Sequence, residues 1–332
     1  MKVAIAGAGM AGAYLYRLLR EQGITAHIYD ANEPTSCGIT SCGWGAVPTV
    51  EVQRLISRFL EPSDYELQRF REINIEGVKI KGDMLTIDKP RLIKDLLDDA
   101  EVRFDPLDTG MYDRIIDATG VVRAFLGPST IPPLLADCTQ YRVRTDQPKE
   151  LSINISSLGY EWCFPLSDNE YHMGFGNLHG DAEGYTLPTD IMAEVSVCCN
   201  CRAKVCLSSP EGTQPFVVGK VVGVGESIGA VAPLAADGIV YAMQTGELLI
   251  ERWDDPNAYA EEVLRRYDWM NLERRGLNRL IEGRMPLLEE LRAFLKHTRM
   301  AGFDMRMRHA MYFFRRMLKA ASARNARPQQ TA

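Results

Sequence analysis

Residues 2–12 read Lys2-Val3-Ala4-Ile5-Ala6-Gly7-Ala8-Gly9-Met10-Ala11-Gly12. A short apolar run of strand character enters glycines spaced Gly-x-Gly-x-x-Gly, and a helical stretch follows to about residue 22. Gly7 suits a tight turn, Gly9 lets the backbone approach a pyrophosphate, and Gly12 lets helix and strand pack closely. The helix N-terminus, where Ala8, Met10 and Ala11 also lie, then faces the anion with its free N–H groups. Gly23 stops the helix, because a C-terminal cap often needs the left-handed conformation. Residues 25–29 (TAHIY) read as a second strand with Asp30 at its end. A carboxylate there accepts from ribose hydroxyls and repels a 2′-phosphate, which disfavours NADP. A glycine triplet alone is weak evidence. With a strand before it, a helix after it and an acid at the end of the next strand, it makes a βαβ dinucleotide-binding unit.

Two later segments bear on which dinucleotide. Residues 113–120 (DRIIDATG) resemble the strand of two-dinucleotide-type flavoproteins that returns beside the first nucleotide loop and carries Ala118, Thr119 and Gly120. Residues 223–239, from Gly223 through Gly225, Glu226, Gly229 and Pro233 to Gly238 and Ile239, resemble the second flavin motif of the same class. That resemblance implies an acid on the ribityl chain and a helix N-terminus aimed at the flavin. Here the acid is Glu226, one methylene longer than usual, and Asp237-Gly238 stands where the motif has Gly-x-Gly. The resemblance makes FAD the expected cofactor.

Between these pieces lies Tyr160-Glu161-Trp162-Cys163-Phe164-Pro165, followed by Tyr171-His172-Met173-Gly174-Phe175-Gly176. This is similar to the Tyr-x-Trp-x-Phe-Pro element and glycine-bearing strand of the geranylgeranyl reductase family, within the p-hydroxybenzoate hydroxylase-like class. The likeness runs from residue 1 to about 250. It extends to residues 88–97 (DKPRLIKDLL), where the family's helix carries an arginine near the adenine, here Arg91, and to Cys42-Gly43 near the flavin. Trp44 follows where the family usually has an acid. The resemblance implies that Cys42, Tyr160 and Trp162 stand at the reacting end. It also implies that Tyr160, Trp162, Phe164, Pro165 and Gly174 form the substrate site. Strand alternation puts Tyr160, Trp162 and Phe164 on one face, as an aromatic wall or as ordinary core.

The chain has 332 residues, 46% hydrophobic and 25% charged, with a net charge of −6, which argues against a general nucleic-acid binder. No uncharged apolar run approaches the roughly 20 residues of a membrane span. No signal peptide is read at the N-terminus, so a cytoplasmic protein is expected, and its eight cysteines are expected as thiols. Cys37 and Cys42 could form a redox pair beside a flavin. Cys198, Cys199, Cys201 and Cys206 could ligate a metal, but their spacing fits no standard site, and the expectation is no metal. Toward the C-terminus Arg306, Arg308, Arg315, Arg316 and Lys319 alternate with Met and aromatic residues. Such a helix can lie on an anionic membrane surface or, as is commoner, pack its apolar face on its own domain.

The expected fold is α/β: a Rossmann-type FAD-binding domain with an inserted antiparallel-sheet substrate domain and a C-terminal helical region. Residues 1–48, 89–128 and 216–250 are assigned to the first part, 49–88 and 129–215 to the second, and 251–332 to the third. The family resemblance implies an FAD-dependent reductase that saturates carbon–carbon double bonds of an isoprenoid or similar hydrophobic or lipid substrate. A single Gly-x-Gly-x-x-Gly implies a transient electron donor, ferredoxin or reduced nicotinamide. A flavin monooxygenase of hydroxylase or halogenase type, and an FAD-binding subunit of a larger electron-transfer complex, remain open alternatives.

Overall fold

The computed structural model describes residues 1–32, 43–156, 158–178, 180 and 185–325, with side chains to residue 321. Its first elements are strand β1 (Val3–Ala6), helix α1 (Met10–Glu21) and strand β2 (Ala26–Tyr29). The strands pair in parallel, Val3 opposite Ala26 and Ala6 opposite Tyr29, and parallel pairing demands the crossover that α1 supplies. On the other side of β1 runs β7 (Arg114–Asp117), also parallel. Beyond it come β14 (Val221–Gly223) and its hairpin partner β13 (Val217–Val218), while β6 (Val102–Arg103) closes the edge beyond β2. Strands more than a hundred residues apart thus meet beside the first glycine loop.

Helix α1 buries Tyr14, Leu15, Leu18 and Leu19, an apolar stripe at helical spacing, in the core that it shares with α6 (Ile239–Glu251). Helix α7 (Pro256–Arg266) joins the same core; the Asp255 carboxylate caps it by accepting from the Ala258 N–H at 3.0 Å. The hydroxyl of fully buried Tyr259 donates to the Gly223 carbonyl at 2.8 Å and so ties α7 to the end of β14. Tyr259→Phe strands that carbonyl, and urea titration should show a stability loss of about 1–3 kcal/mol. An unchanged midpoint would mean that Gly223 finds another donor.

The second sheet has the order β12-β8-β11-β10-β9-β4-β5-β3. Its strands are β3 (Gly45–Ala46), β4 (Glu66–Ile75), β5 (Val78–Ile87), β8 (Leu135–Arg144), β9 (Ser152–Ser156), β10 (Gly159–Pro165), β11 (Glu170–Asn177) and β12 (Ser196–Cys206). All neighbours are antiparallel except β4 and β9. One face carries Ile73, Ile80 and Met84 against α8 (Asp268–Ile281), α9 (Leu288–Met300) and α10 (Met307–Asn325). Three shorter helices connect the parts: α3 (Lys89–Leu97), α4 (Thr189–Glu194) and α5 (Ser209–Gly212).

The architecture is the expected α/β one, with differences in detail. Residues 49–57, assigned above to the substrate part, form helix α2 (Thr49–Ser57), whose Val52, Leu55 and Ile56 join the core of the first sheet. Residues 45–46, assigned to the nucleotide part, are β3 in the second sheet. Among the described residues the C-terminal region is four helices, with Gly283 and Gly302 in left-handed turns between them. Helix α10 turns Phe313 and Phe314 inward, and the Arg316 guanidinium meets the Glu76 carboxylate at 2.7 Å. No helix among the described residues is long and apolar enough to cross a membrane.

Candidate functional site

The glycines of the first loop do different jobs. Gly7 has φ +105°, and a Cβ there would strike the Ala118 carbonyl; a Cβ on Gly12 would strike the Gly7 carbonyl. Both exist to let protein meet protein. Around Gly9 a Cβ would meet nothing within 4 Å, so the protein itself does not explain that glycine. Gly9 is the N-cap of α1, makes no side-chain cap, and no acid stands in the first turn. The free N–H groups of that turn and the positive end of the helix therefore face the space that Gly9 leaves open.

Asp30 closes one side: its Oδ2 accepts from the Ala8 N–H at 2.7 Å and its Oδ1 from the Asn32 N–H at 3.0 Å. On the other side lies the turn Ala118-Thr119-Gly120. Its organiser is Asp117, a fully buried carboxylate not singled out from the sequence. Asp117 accepts the N–H and hydroxyl of Thr119 at 3.1 and 2.6 Å, and the N–H groups of Phe125 and Leu126 at 2.8 and 2.9 Å. The signal was available, as an acid closing an otherwise apolar strand. Arg91 lines the cleft from α3, with its guanidinium over the Tyr65 ring at 5.4 Å and donating to the Asp64 carbonyl at 2.8 Å.

The second motif contributes Glu226, Gly238 and Ile239. Glu226 reaches back to Gly120, where an added Cβ would lie 3.3 Å from its Oε2, while its Oε1 accepts from the Cys206 N–H at 2.8 Å. Burial pushes its carboxyl above the usual range. Gly225 and Gly229 shape the turn from behind, and a Cβ on Gly229 would lie 2.5 Å from the Ser209 carbonyl oxygen. Gly12, Gly225, Gly229 and Pro233 do not line the cleft; the other described members of the expected cofactor set do.

The aromatic residues of β10 line the same cavity. Trp162 stands opposite Gly174, and Tyr160 opposite Gly176. A Cβ on Gly174 would run into the Trp162 indole, so the glycines of β11 are the bed on which that ring lies. The Trp162 Nε1–H donates to Gln140 Oε1 at 3.2 Å, and the Tyr160 hydroxyl donates to the Ala235 carbonyl at 2.7 Å. Phe164 packs against Gly43, where a Cβ would lie 2.7 Å from its ring. Gly174 and Pro165 stand behind the wall and do not line the cavity. Trp44, where the family has an acid, takes φ +51° and buries its indole against His172, ring centroids 4.4 Å apart. Burial holds His172 down to about 3, so it is neutral.

Cys42, and with it the Cys37–Cys42 pair, lies outside the described residues. The cysteines from Cys198 to Cys206 are strung along β12. At about 3.3 Å per residue an extended strand carries its ends too far apart for one ion. No group of three or more metal-binding side chains occurs among the described residues. Cys163 faces away from the aromatic wall, and burial pushes its thiol up to about 12.

The cleft at Gly9, Asp30 and Gly120 and the aromatic wall of β10 belong to one cavity of about 1720 Å³. That exceeds the roughly 300–1,000 Å³ of ordinary ligand pockets. Sequence reading missed its far half, an apolar chamber between β4 and β9 (Ile73, Ile75, Ile153, Ile155) and helices α9 and α10 (Phe294, Phe313, Phe314, Met317). Nothing in their spacing distinguishes these residues from core.

No family model matches the chain. An uncharacterized protein of Methanocaldococcus jannaschii is 24% identical over 335 residues, which is 83% of this chain and 91% of that protein. Among solved structures, a geranylgeranyl bacteriochlorophyll reductase-like protein of Thermoplasma acidophilum superposes with a TM-score of 0.65 at 14% identity, covering 96% of this chain and 91% of its own. A flavoprotein/dehydrogenase from Cytophaga hutchinsonii gives 0.63 at 12% identity, over 98% of this chain and all (100%) of its own. The flavin-dependent brominase Bmp2 gives 0.62 at 13% identity, over 98% of both chains. The fold is that of FAD-binding oxidoreductases.

Proposed function

We propose that this chain binds FAD and is an oxidoreductase acting on a hydrophobic or lipid substrate, and that its reaction is saturation of carbon–carbon double bonds of an isoprenoid. The observation that carries the reading is continuity: the cleft at Gly9, Asp30 and Gly120 opens directly into the apolar chamber behind Trp162. The cleft suits the dinucleotide because Gly9 leaves space that no protein atom fills, and because helix α1 points free N–H groups into it. FAD bound there supplies hydride transfer. The chain's own residues do the rest. Asp30 holds a ribose, Tyr160 and Trp162 orient the reacting group, and the chamber excludes water from it. Cys42 keeps the role at the reacting end that the family resemblance gives it. The electron donor, ferredoxin or reduced nicotinamide, docks transiently. The exposed basic residues around α10 favour contact with an anionic membrane where a lipid substrate resides. The likeness to a flavin-dependent brominase favours a second reading, oxygen-dependent hydroxylation or halogenation in the same cavity.

The purified protein should be yellow and carry roughly one FAD per chain. A colourless protein sinks the reading. Asp30→Ala should weaken flavin retention by about tenfold, since it removes ribose hydrogen bonds and the carboxylate that accepts from the Ala8 N–H, while Gly9 and the N-terminus of α1 keep their places. Chemically reduced protein is then incubated without oxygen with a polyprenyl alcohol, and the product is weighed by mass spectrometry. A gain of two hydrogens supports the reductase. A product formed only with oxygen, carrying oxygen or halogen, supports the second reading.

A further inference from the structure

Residues 291–321 carry eight Lys or Arg against one acid, Asp304, in a chain whose net charge is −6. That acid is taken up locally, its carboxylate meeting the Arg306 guanidinium at 3.4 Å. The helical period sorts the remaining side chains. On α9, Leu288, Arg292, Lys296 and Arg299 recur at steps of four, four and three, so they share one face, and all are exposed. On α10, Arg308, Tyr312, Arg315 and Lys319 do the same at steps of four, three and four. The inner faces are already used. Phe294 and Thr298 of α9, with Phe313, Phe314 and Met317 of α10, line the apolar chamber. The two helices pack through Phe294 and Phe314, ring centroids 5.1 Å apart.

Where α9 gives way to the start of α10, Arg292, Lys296 and Arg299 stand around a groove with Leu295, Met300 and Met307. Its volume of about 580 Å³ is that of an ordinary ligand site. None of the three cations pairs with a carboxylate among the described residues. Other exposed cations do: Arg265 meets Glu262 at 2.6 Å and Arg316 meets Glu76 at 2.7 Å. Apolar side chains stand out among the cations, with Leu288 53%, Met300 50% and Tyr312 41% exposed. Unpaired cations beside an apolar floor are complementary to an amphipathic anion. A bilayer surface presents that pairing, with phosphates at the level of the cations and hydrocarbon just beneath. A nucleic acid offers the phosphates without the apolar layer.

We propose that the outer face of α9 and α10 docks this protein on an anionic membrane, and that the groove at Leu295 seats one phospholipid. Arg292, Lys296 and Arg299 hold its phosphate, while Leu295, Met300 and Met307 take the first carbons of its chain. The helices that carry this face on one side wall the chamber on the other, so a chain drawn from the bilayer has one helix to pass. This names the partner and the docking face for the lipid reading above, and it rests on that reading for what the docking serves. The complementarity of the face to a bilayer does not depend on it.

Flotation of the full chain with vesicles tests the docking. Vesicles of phosphatidylcholine with about 30% phosphatidylglycerol should carry the protein, and pure phosphatidylcholine vesicles should not. Salt at about 1 M should release it, because charges are then screened within about 3 Å. Replacing Arg292, Lys296 and Arg299 together by Gln should weaken partition by about 100-fold. Those side chains are exposed and unpaired, so thermal melting should be unchanged. Replacing Arg252, Arg265 and Arg266 by Gln removes the same charge from around α7 and should alter partition by no more than about twofold. Met300→Asp should weaken it by about tenfold, by setting a charge in the apolar seat. Equal binding to both vesicle types, or equal loss in both triple variants, overturns the docking face. An unchanged Met300→Asp overturns the lipid seat. Retention on polyglutamate without binding to vesicles makes the face a site for an acidic protein and overturns the membrane. Flotation needs neither flavin nor turnover. A colourless chain that floats overturns the function proposed above and leaves the docking standing, and a yellow chain that does not float does the reverse.

Discussion

Gly9→Val should fold almost as stably as the wild type and be purified without flavin. The reason is the contrast among the loop glycines. Gly9 has φ −76° and ψ −168°, open to any residue, and a Cβ there meets no protein atom within 4 Å. The cost to the fold is that of a poorer N-cap, about 1 kcal/mol or less. A valine side chain would instead occupy the pyrophosphate's place, and retention should fall by about 100-fold or more, equivalent to about 2.8 kcal/mol. Gly12→Val is the control, because its Cβ would strike the Gly7 carbonyl and the fold itself should lose about 3 kcal/mol. Thermal melting and flavin absorbance read the two effects separately. If Gly9→Val keeps its flavin, the cleft does not hold the pyrophosphate.

Trp162→Ala should have the opposite profile: flavin content nearly unchanged, substrate interaction weakened by about 2–4 kcal/mol. The indole lies on Gly174 and Gly176 and faces the cavity, and β10 contributes nothing to the nucleotide loops. Gln140 Oε1, on a buried side chain, loses this donor. The measurement is Kd for a hydrophobic ligand on flavin-loaded protein. Loss of flavin, with ligand affinity intact in the remaining holoprotein, would make Trp162 plain core.

The first cleft was legible because its pattern is local: a strand, three glycines, a helix and an acid fall within thirty residues. The Tyr160–Trp162–Phe164 face was legible from alternation. Strands β8 and β12 were not: β8 buries Thr139 and Gln140 among its apolar residues, and β12 alternates exposed Asn200, Arg202 and Lys204 with half-buried cysteines and Ala203, so neither shows a clean apolar period of two. Helix α2 was missed because Thr49, Val50 and Val52 have strand propensity, while its burial at Thr49, Val52, Leu55 and Ile56 follows helical spacing.

The walls of the chamber have a separate consequence. Phe294, Phe313, Phe314 and Met317 close its deep end from α9 and α10, far along the chain from every nucleotide-binding piece. Those helices therefore act as a ruler whose graduations can be redrawn alone. Exchanging one phenylalanine for a smaller side chain deepens the chamber by about one or two carbon units of a ligand and leaves the cleft at Gly9 untouched. A lineage carrying this scaffold can drift from shorter to longer ligands by editing α9 and α10 while the first glycine loop stays as it is.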